Sequence, residues 1–137
     1  MMISGWQRVA VGLALLGTVS GCGPSQTRPE NSAVHEVRIE DDVTPTLLYA
    51  QRGDEIRWHN LLPHPVKLGL LGTNWRDHVV CQKGFLRFGQ VDDLVLIPPQ
   101  QYVSLCFAQP GTVRYNVWLD PQNLTGSMTP TSTIRID

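Results

Sequence analysis

From residue 34 to residue 137 the chain is written in a period of two. Runs rich in Val, Ile, Leu, Tyr and Thr alternate inward and outward positions, and short polar or Gly/Pro turns separate several of them. No segment carries a sustained helical period with caps. The pattern predicts strands over 34–40, 46–51, 55–60, 64–70, 94–97, 102–108, 112–119 and 131–136. One short helix or irregular excursion is expected over 73–93. About eight short strands, each with one apolar face, bury those faces by stacking two sheets. The expected fold is an all-β, Greek-key antiparallel β-sandwich.

Alternation also assigns faces. Val66, Leu68 and Leu70 share one parity, and His64 shares it, which puts His64 on the core side at the strand's entrance. Val113, Tyr115, Val117 and Leu119 face in, while Arg114, Asn116 and Trp118 face out. Val103, Leu105 and Phe107 face in, which sends Cys106 outward; Ile134 and Ile136 close the core.

The first 33 residues do not belong to this pattern. Arg8 gives a weakly positive beginning, and 9–19 is apolar and small, too short to span a bilayer as a mature helix. It ends in Val19-Ser20-Gly21-Cys22, which resembles the bacterial lipobox. The resemblance implies a signal peptide over 1–21, lipidation of Cys22 and anchoring by acyl chains, each buried methylene contributing about 0.8 kcal/mol. An ordinary secretory signal with a cysteine at its end is the other reading. Gly23 in place of an aspartate implies the periplasmic side of the outer membrane in a Gram-negative envelope. Residues 22–33 hold no aliphatic side chain larger than alanine, so they read as a flexible tether with a reach on the order of 20 Å. The single domain is then 34–137.

Charge is nearly balanced, with 11 Lys+Arg against 12 Asp+Glu. No basic stripe exists, which argues against a nucleic-acid partner. With Cys22 lipidated, Cys81 and Cys106 remain, an even pair in an exported protein. A disulfide between them is the default expectation, set against two free thiols or metal ligands. No Ser-His-Asp arrangement and no Gly-rich phosphate loop is present, so the chain reads as non-enzymatic.

Several segments in order suggest a family. Gly53-Asp54, Trp58, Asn60 and His64-Pro65-Val66 are followed by Ile97-Pro98-Pro99, Phe107 and Pro110-Gly111-Thr112-Val113-Arg114-Tyr115. Together they are similar to the cupredoxins, the plastocyanin-like and azurin-like blue copper domains, over most of 34–137. The resemblance implies a first histidine ligand at His64. It also implies a cysteine, a histidine and commonly a methionine from one loop after the next-to-last strand. Two imidazoles and a thiolate form a trigonal site that a weak axial thioether tunes. Here Val117 stands at the expected thiolate position, and 118–128 contains neither Cys nor His; only Met128 matches the axial ligand. The type 1 copper set is therefore incomplete.

Three functional readings follow. The first is a lipid-anchored envelope module that binds or scaffolds without a blue copper centre, as an accessory subunit of a respiratory or copper-handling assembly. The second is a copper-binding or electron-transfer protein with an unusual Cu(I) site from His64, Met128 and Cys81, with His59 or His78 in support. The third is a carbohydrate- or surface-binding module that presents Trp118 and Trp75. No cofactor is expected under the first reading, and copper under the second.

Overall fold

The computed structural model describes residues 31–137. The expected signal peptide over 1–21, Cys22 and most of the expected tether lie outside the described residues. Twelve strands follow one another: β1 (Val34–Ile39), β2 (Val43–Thr44), β3 (Leu47–Ala50), β4 (Glu55–Asn60), β5 (Val66–Leu71), β6 (Val79–Lys83), β7 (Leu86–Arg87), β8 (Gln90–Val91), β9 (Leu94–Ile97), β10 (Tyr102–Phe107), β11 (Gly111–Trp118) and β12 (Ser132–Ile136). One sheet has the order β2-β1-β4-β10-β6 and the other β3-β12-β11-β5-β9; β7 and β8 form a separate hairpin.

The expected sandwich is present, with two amendments. First, β1 pairs with β4 in parallel, as β3 does with β12, so the sheets are mixed rather than wholly antiparallel. Parallel neighbours need a crossover. The chain supplies one by leaving β1, visiting the second sheet as β3, and returning as β4 beside β1. Second, the excursion over 73–93 contains a 3-10 turn (Arg76–His78) and three unexpected strands, β6 and the β7–β8 hairpin. The Val79–Lys83 segment lacks clean alternation because β6 is an edge strand held by the backbone ladder of β10.

The inward parities meet between the sheets. Trp58 lies at the centre, edge-on to Phe85 and Tyr115 with centroids 5.8 and 5.6 Å away. Val37, Ile39, Leu68, Ile97, Leu105, Val117 and Ile134 close around them, all fully buried. Burying a large apolar side chain contributes about 1.5–3 kcal/mol, so this cluster is the main source of cohesion. Asn116 departs from its expected outward place. The 129–131 segment covers it, and its amide donates to the Thr129 carbonyl and the Thr131 hydroxyl at 3.0 and 3.1 Å.

Cys81 and Cys106 form the expected disulfide, directly opposite each other on β6 and β10 with Cα atoms 4.9 Å apart. Cys106 has the outward parity and is nevertheless buried beneath that bridge.

A buried carboxylate fixes the start of β1. Asp54 follows Gly53, which turns at φ +84°. It accepts hydrogen bonds from the backbone of Ala33 and Gln51 (2.8 and 2.9 Å) and from His35 Nε2 (2.7 Å). Burial alone would push its pKa up; the Gln51, His35 and Ala33 hydrogen bonds outweigh burial, and the net shift is downward. A depressed folded-state pKa contributes stability above the unfolded value and loses it as pH falls through the folded one. Urea midpoints should therefore fall below about pH 4. Asp54→Asn should cost roughly 1–3 kcal/mol at neutral pH and abolish that part of the acid limb. An unchanged acid limb in Asp54→Asn would contradict this assignment.

Candidate functional site

The end of the sandwich where β4 leaves and β5 enters is organised by one side chain. Asn60 is completely buried. Its amide nitrogen is shared among the carbonyls of His64, Ile97 and Pro98 at 2.8, 3.0 and 3.2 Å, and its oxygen accepts from Leu62 N–H at 3.0 Å. Gln100 adds hydrogen bonds to the Leu61 and Leu62 carbonyls. The 60–65 turn is thus tied to the segment after β9.

His64 sits in that turn. Its ring is exposed, not on the core side as alternation implied. Prolines flank it at 63 and 65, β5 begins only at Val66, and the strand's parity does not reach back through the turn. Nε2 lies 3.0 Å from the Leu119 carbonyl. A carbonyl only accepts, so Nε2 carries the hydrogen and donates it.

The facing segment leaves β11. Val117 is fully buried, and its backbone N–H donates to Thr129 Oγ1 while its carbonyl accepts from Thr129 N–H. The loop after it closes on itself. Asp120 Oδ1 accepts from Gln122 N–H, and the Ser127 hydroxyl lies 2.8 and 2.7 Å from the carbonyls of Asp120 and Asn123. Trp118 and Met128 are bridged across its base.

Between these parts lies an open cleft of about 580 Å³, lined by His64, Pro65, Leu96, Asp120, Pro121 and Gln122. The sequence marks Asp120 as a turn residue and does not single out Leu96, Pro121 or Gln122. Only the pairing of β5 with β9 and the return of the 119–128 loop bring them beside His64. The lining offers one imidazole and one carboxylate and no nucleophile.

The expected metal ligands are not brought together. Met128 is 54% exposed and lines a different cleft, with Asp41, Asp42 and Ser127. The Cys81 sulfur is bonded to Cys106 and cannot act as a thiolate. It also lies toward the opposite end of the sandwich, since Cys106 pairs with Glu55 whereas Asn60 leads to His64. His59 Nδ1 contacts Glu36 at 2.7 Å on the outer face of the first sheet, and His78 ends the 3-10 turn. Among the described residues no group of three His, Cys, Asp or Glu side chains is placed to hold a metal ion. With Val117 at the implied thiolate position, the residues present do not fit a type 1 copper ion.

The two tryptophans separate. Trp75 is 3% exposed, packed in the core with its indole N–H on the Gly72 carbonyl, and presents no contact surface. The core has claimed it because the excursion folds over the sandwich rather than away from it. Trp118 remains partly exposed and lies across Gly69, where a Cβ would come within 2.6 Å of its ring.

No protein-family model matches the chain, and no curated protein matches it. Solved structures of amicyanin are similar in shape. A reduced tryptophan-to-tyrosine mutant of amicyanin shares 19% identity at a TM-score of 0.49, covering 83% of this chain and 95% of that one. A Cu(I) methionine-to-alanine mutant shares 20% identity at 0.48, covering 79% and 84%. An oxidised proline-to-alanine mutant shares 18% at 0.48, covering 77% and 82%. The architecture of this chain is established by its own two sheets, and these likenesses extend no ligand or activity to it.

Proposed function

We propose that this chain is a lipid-anchored module of a bacterial cell envelope that works by binding rather than catalysis and has no blue copper centre. One observation carries the reading. The single histidine of the implied ligand set is committed through Nε2 to the Leu119 carbonyl, in an open cleft that faces solvent. Val117, an aliphatic residue, stands where the resemblance implies a sulfur donor, and Cys81 and Cys106 are bonded to each other. A cleft with apolar walls (Pro65, Leu96, Pro121) and three polar residues (His64, Asp120, Gln122) suits contact with another protein of the envelope. An accessory role in a respiratory or copper-handling assembly is the context in which such a module would act.

Anaerobic titration of the full chain with Cu(I), and aerobic titration with Cu(II), test this. The expected outcome is no stoichiometric copper at His64 and no intense visible sulfur-to-copper charge-transfer band. One tightly held equivalent that disappears in His64→Ala would refute the proposal.

A further inference from the structure

The two outer faces of the sandwich treat charge differently. On the first sheet, basic side chains are matched. Arg57 pairs with Glu55, His59 with Glu36 and Arg38 with Glu40, while the Lys83 ammonium sits 3.5 Å over the Tyr102 ring. On the second sheet, none of the five strands contains an aspartate or glutamate. Its outward positions include Arg114 and Arg135, both exposed. Among the described residues neither guanidinium has an ion-pair or hydrogen-bond partner. A sheet face with charges of one sign only and no internal neutralisation is matched by an anionic surface.

The register makes the two arginines a site rather than two scattered charges. Arg114 on β11 stands opposite Thr133 on β12, and Arg135 on β12 stands opposite Thr112 on β11. All four share the outward parity, so the guanidiniums are diagonal neighbours, about 7–8 Å apart at their bases. With Asn74 and Leu71 they line an open, mostly polar depression of about 710 Å³. Each arginine is flanked by an exposed apolar side chain in register. Leu71 (43% exposed) lies beside Arg114 and Tyr49 (58%) beside Arg135. Arginine forks match phosphate oxygens bidentately. Tyrosine and leucine beside them fit the boundary between headgroup and acyl chain.

The position in the fold selects the occupant. Val34 pairs with Glu55 and Glu55 with Cys106, so β1 begins at the end of the sandwich where β10 turns into β11. Arg135 and Thr112 lie one residue pair in from that same end, since Gly111 pairs with Ile136. The segment that reads as a tether from a lipidated Cys22 therefore joins the domain at the end that carries the arginines.

We infer that the outer face of the second sheet binds the phosphate groups of an anionic phospholipid bilayer through Arg114 and Arg135, with Tyr49 and Leu71 seated at the interface. The inference rests on the lipid-anchored reading for the nearness of the bilayer.

The full chain, isolated with its native amino terminus, is placed in nanodiscs of phosphatidylcholine alone or mixed with phosphatidylglycerol, and side-chain exposure is read by hydroxyl-radical footprinting. In the anionic discs, Tyr49 and Leu71 should become several-fold less reactive, while Phe88, which is 93% exposed on the β7–β8 hairpin, should not change. Two arginines near an anionic surface should favour the docked state by roughly thirtyfold. Protection should vanish in Arg114→Gln/Arg135→Gln and at high salt. It should persist in part in Arg114→Lys/Arg135→Lys, which keeps the charge without the fork. Equal reactivity in both discs would overturn the inference. So would protection by inorganic phosphate as strong as that by phosphatidylglycerol, which would make this a free-anion site. Protection that rises with protein concentration without lipid would assign the face to a second copy of the chain instead. The mass of the isolated chain reports separately whether Cys22 is acylated. If it is not, the anchor fails, and the face is judged by adding the same chain to the discs from solution.

Discussion

Replacing Cys81 and Cys106 together with alanine should destabilise the domain by about 3.5 kcal/mol, the chain-entropy value for cross-linking residues 25 apart. For a domain of this size the melting temperature should drop by roughly 15 °C. The consequence is regional as well as global. β6 is an edge strand that, among the described residues, pairs with β10 alone, and the segment around it delivers Trp75 and Phe85 to the core. With the bridge gone, hydrogen exchange should accelerate first in β6 and the β7–β8 hairpin, then in the Trp58–Phe85 contact that depends on them. Thermal melts of the oxidised, reduced and substituted proteins measure the loss. Identical melts for the oxidised and substituted forms would show that the bridge constrains nothing of consequence.

Asn60→Ala should cost about 3 kcal/mol, more than a typical polar truncation. It removes the donor shared by three carbonyls and the acceptor for the Leu62 N–H in a place closed to water. Asn60→Asp should be worse at neutral pH, by roughly 3–5 kcal/mol, because it presses an unpaired carboxylate against those carbonyls. Its deficit should shrink on acidification. A carboxyl buried among acceptors has a folded-state pKa above its unfolded value, so protonation restores a donor and relieves the repulsion. Chemical denaturation across pH reports both effects. In both variants the 60–65 turn is released, and the His64 Nε2–H signal in nitrogen-resolved NMR should lose the sharpness that its bond to Leu119 confers. Retention of that signal at wild-type stability would show that the turn does not need Asn60.

The legible part of the fold is the part that depends on alternation. Leu68, Leu105, Val113, Tyr115 and Ile134 face in because a pleated strand gives a side chain only two directions. Where strand geometry stops, the inference stops too. His64 was placed inward by a parity that does not pass through Pro63-His64-Pro65, and Asn116 was placed outward because nothing in β11 announces that 129–131 will cover it. β6 went unread because an edge strand needs no clean apolar face when a neighbour's backbone and a disulfide hold it.

For the site, an even pair of cysteines made the Cys81–Cys106 bridge the default expectation, and the structure forms it; the resemblance to the cupredoxins implied a thiolate at the position where Val117 stands. Which side chains share a cleft was decided only by tertiary structure. His64 and Met128 fall in separate clefts, Trp75 goes to the core, and Leu96 and Asp120 arrive beside His64 through the pairing of β5 with β9 and the return of a loop. Likewise Arg114 and Arg135, twenty-one positions apart, become neighbours only through the β11–β12 register. Local sequence sets the direction of each side chain along its own strand; which strands stand side by side is set by how all the apolar faces are buried at once.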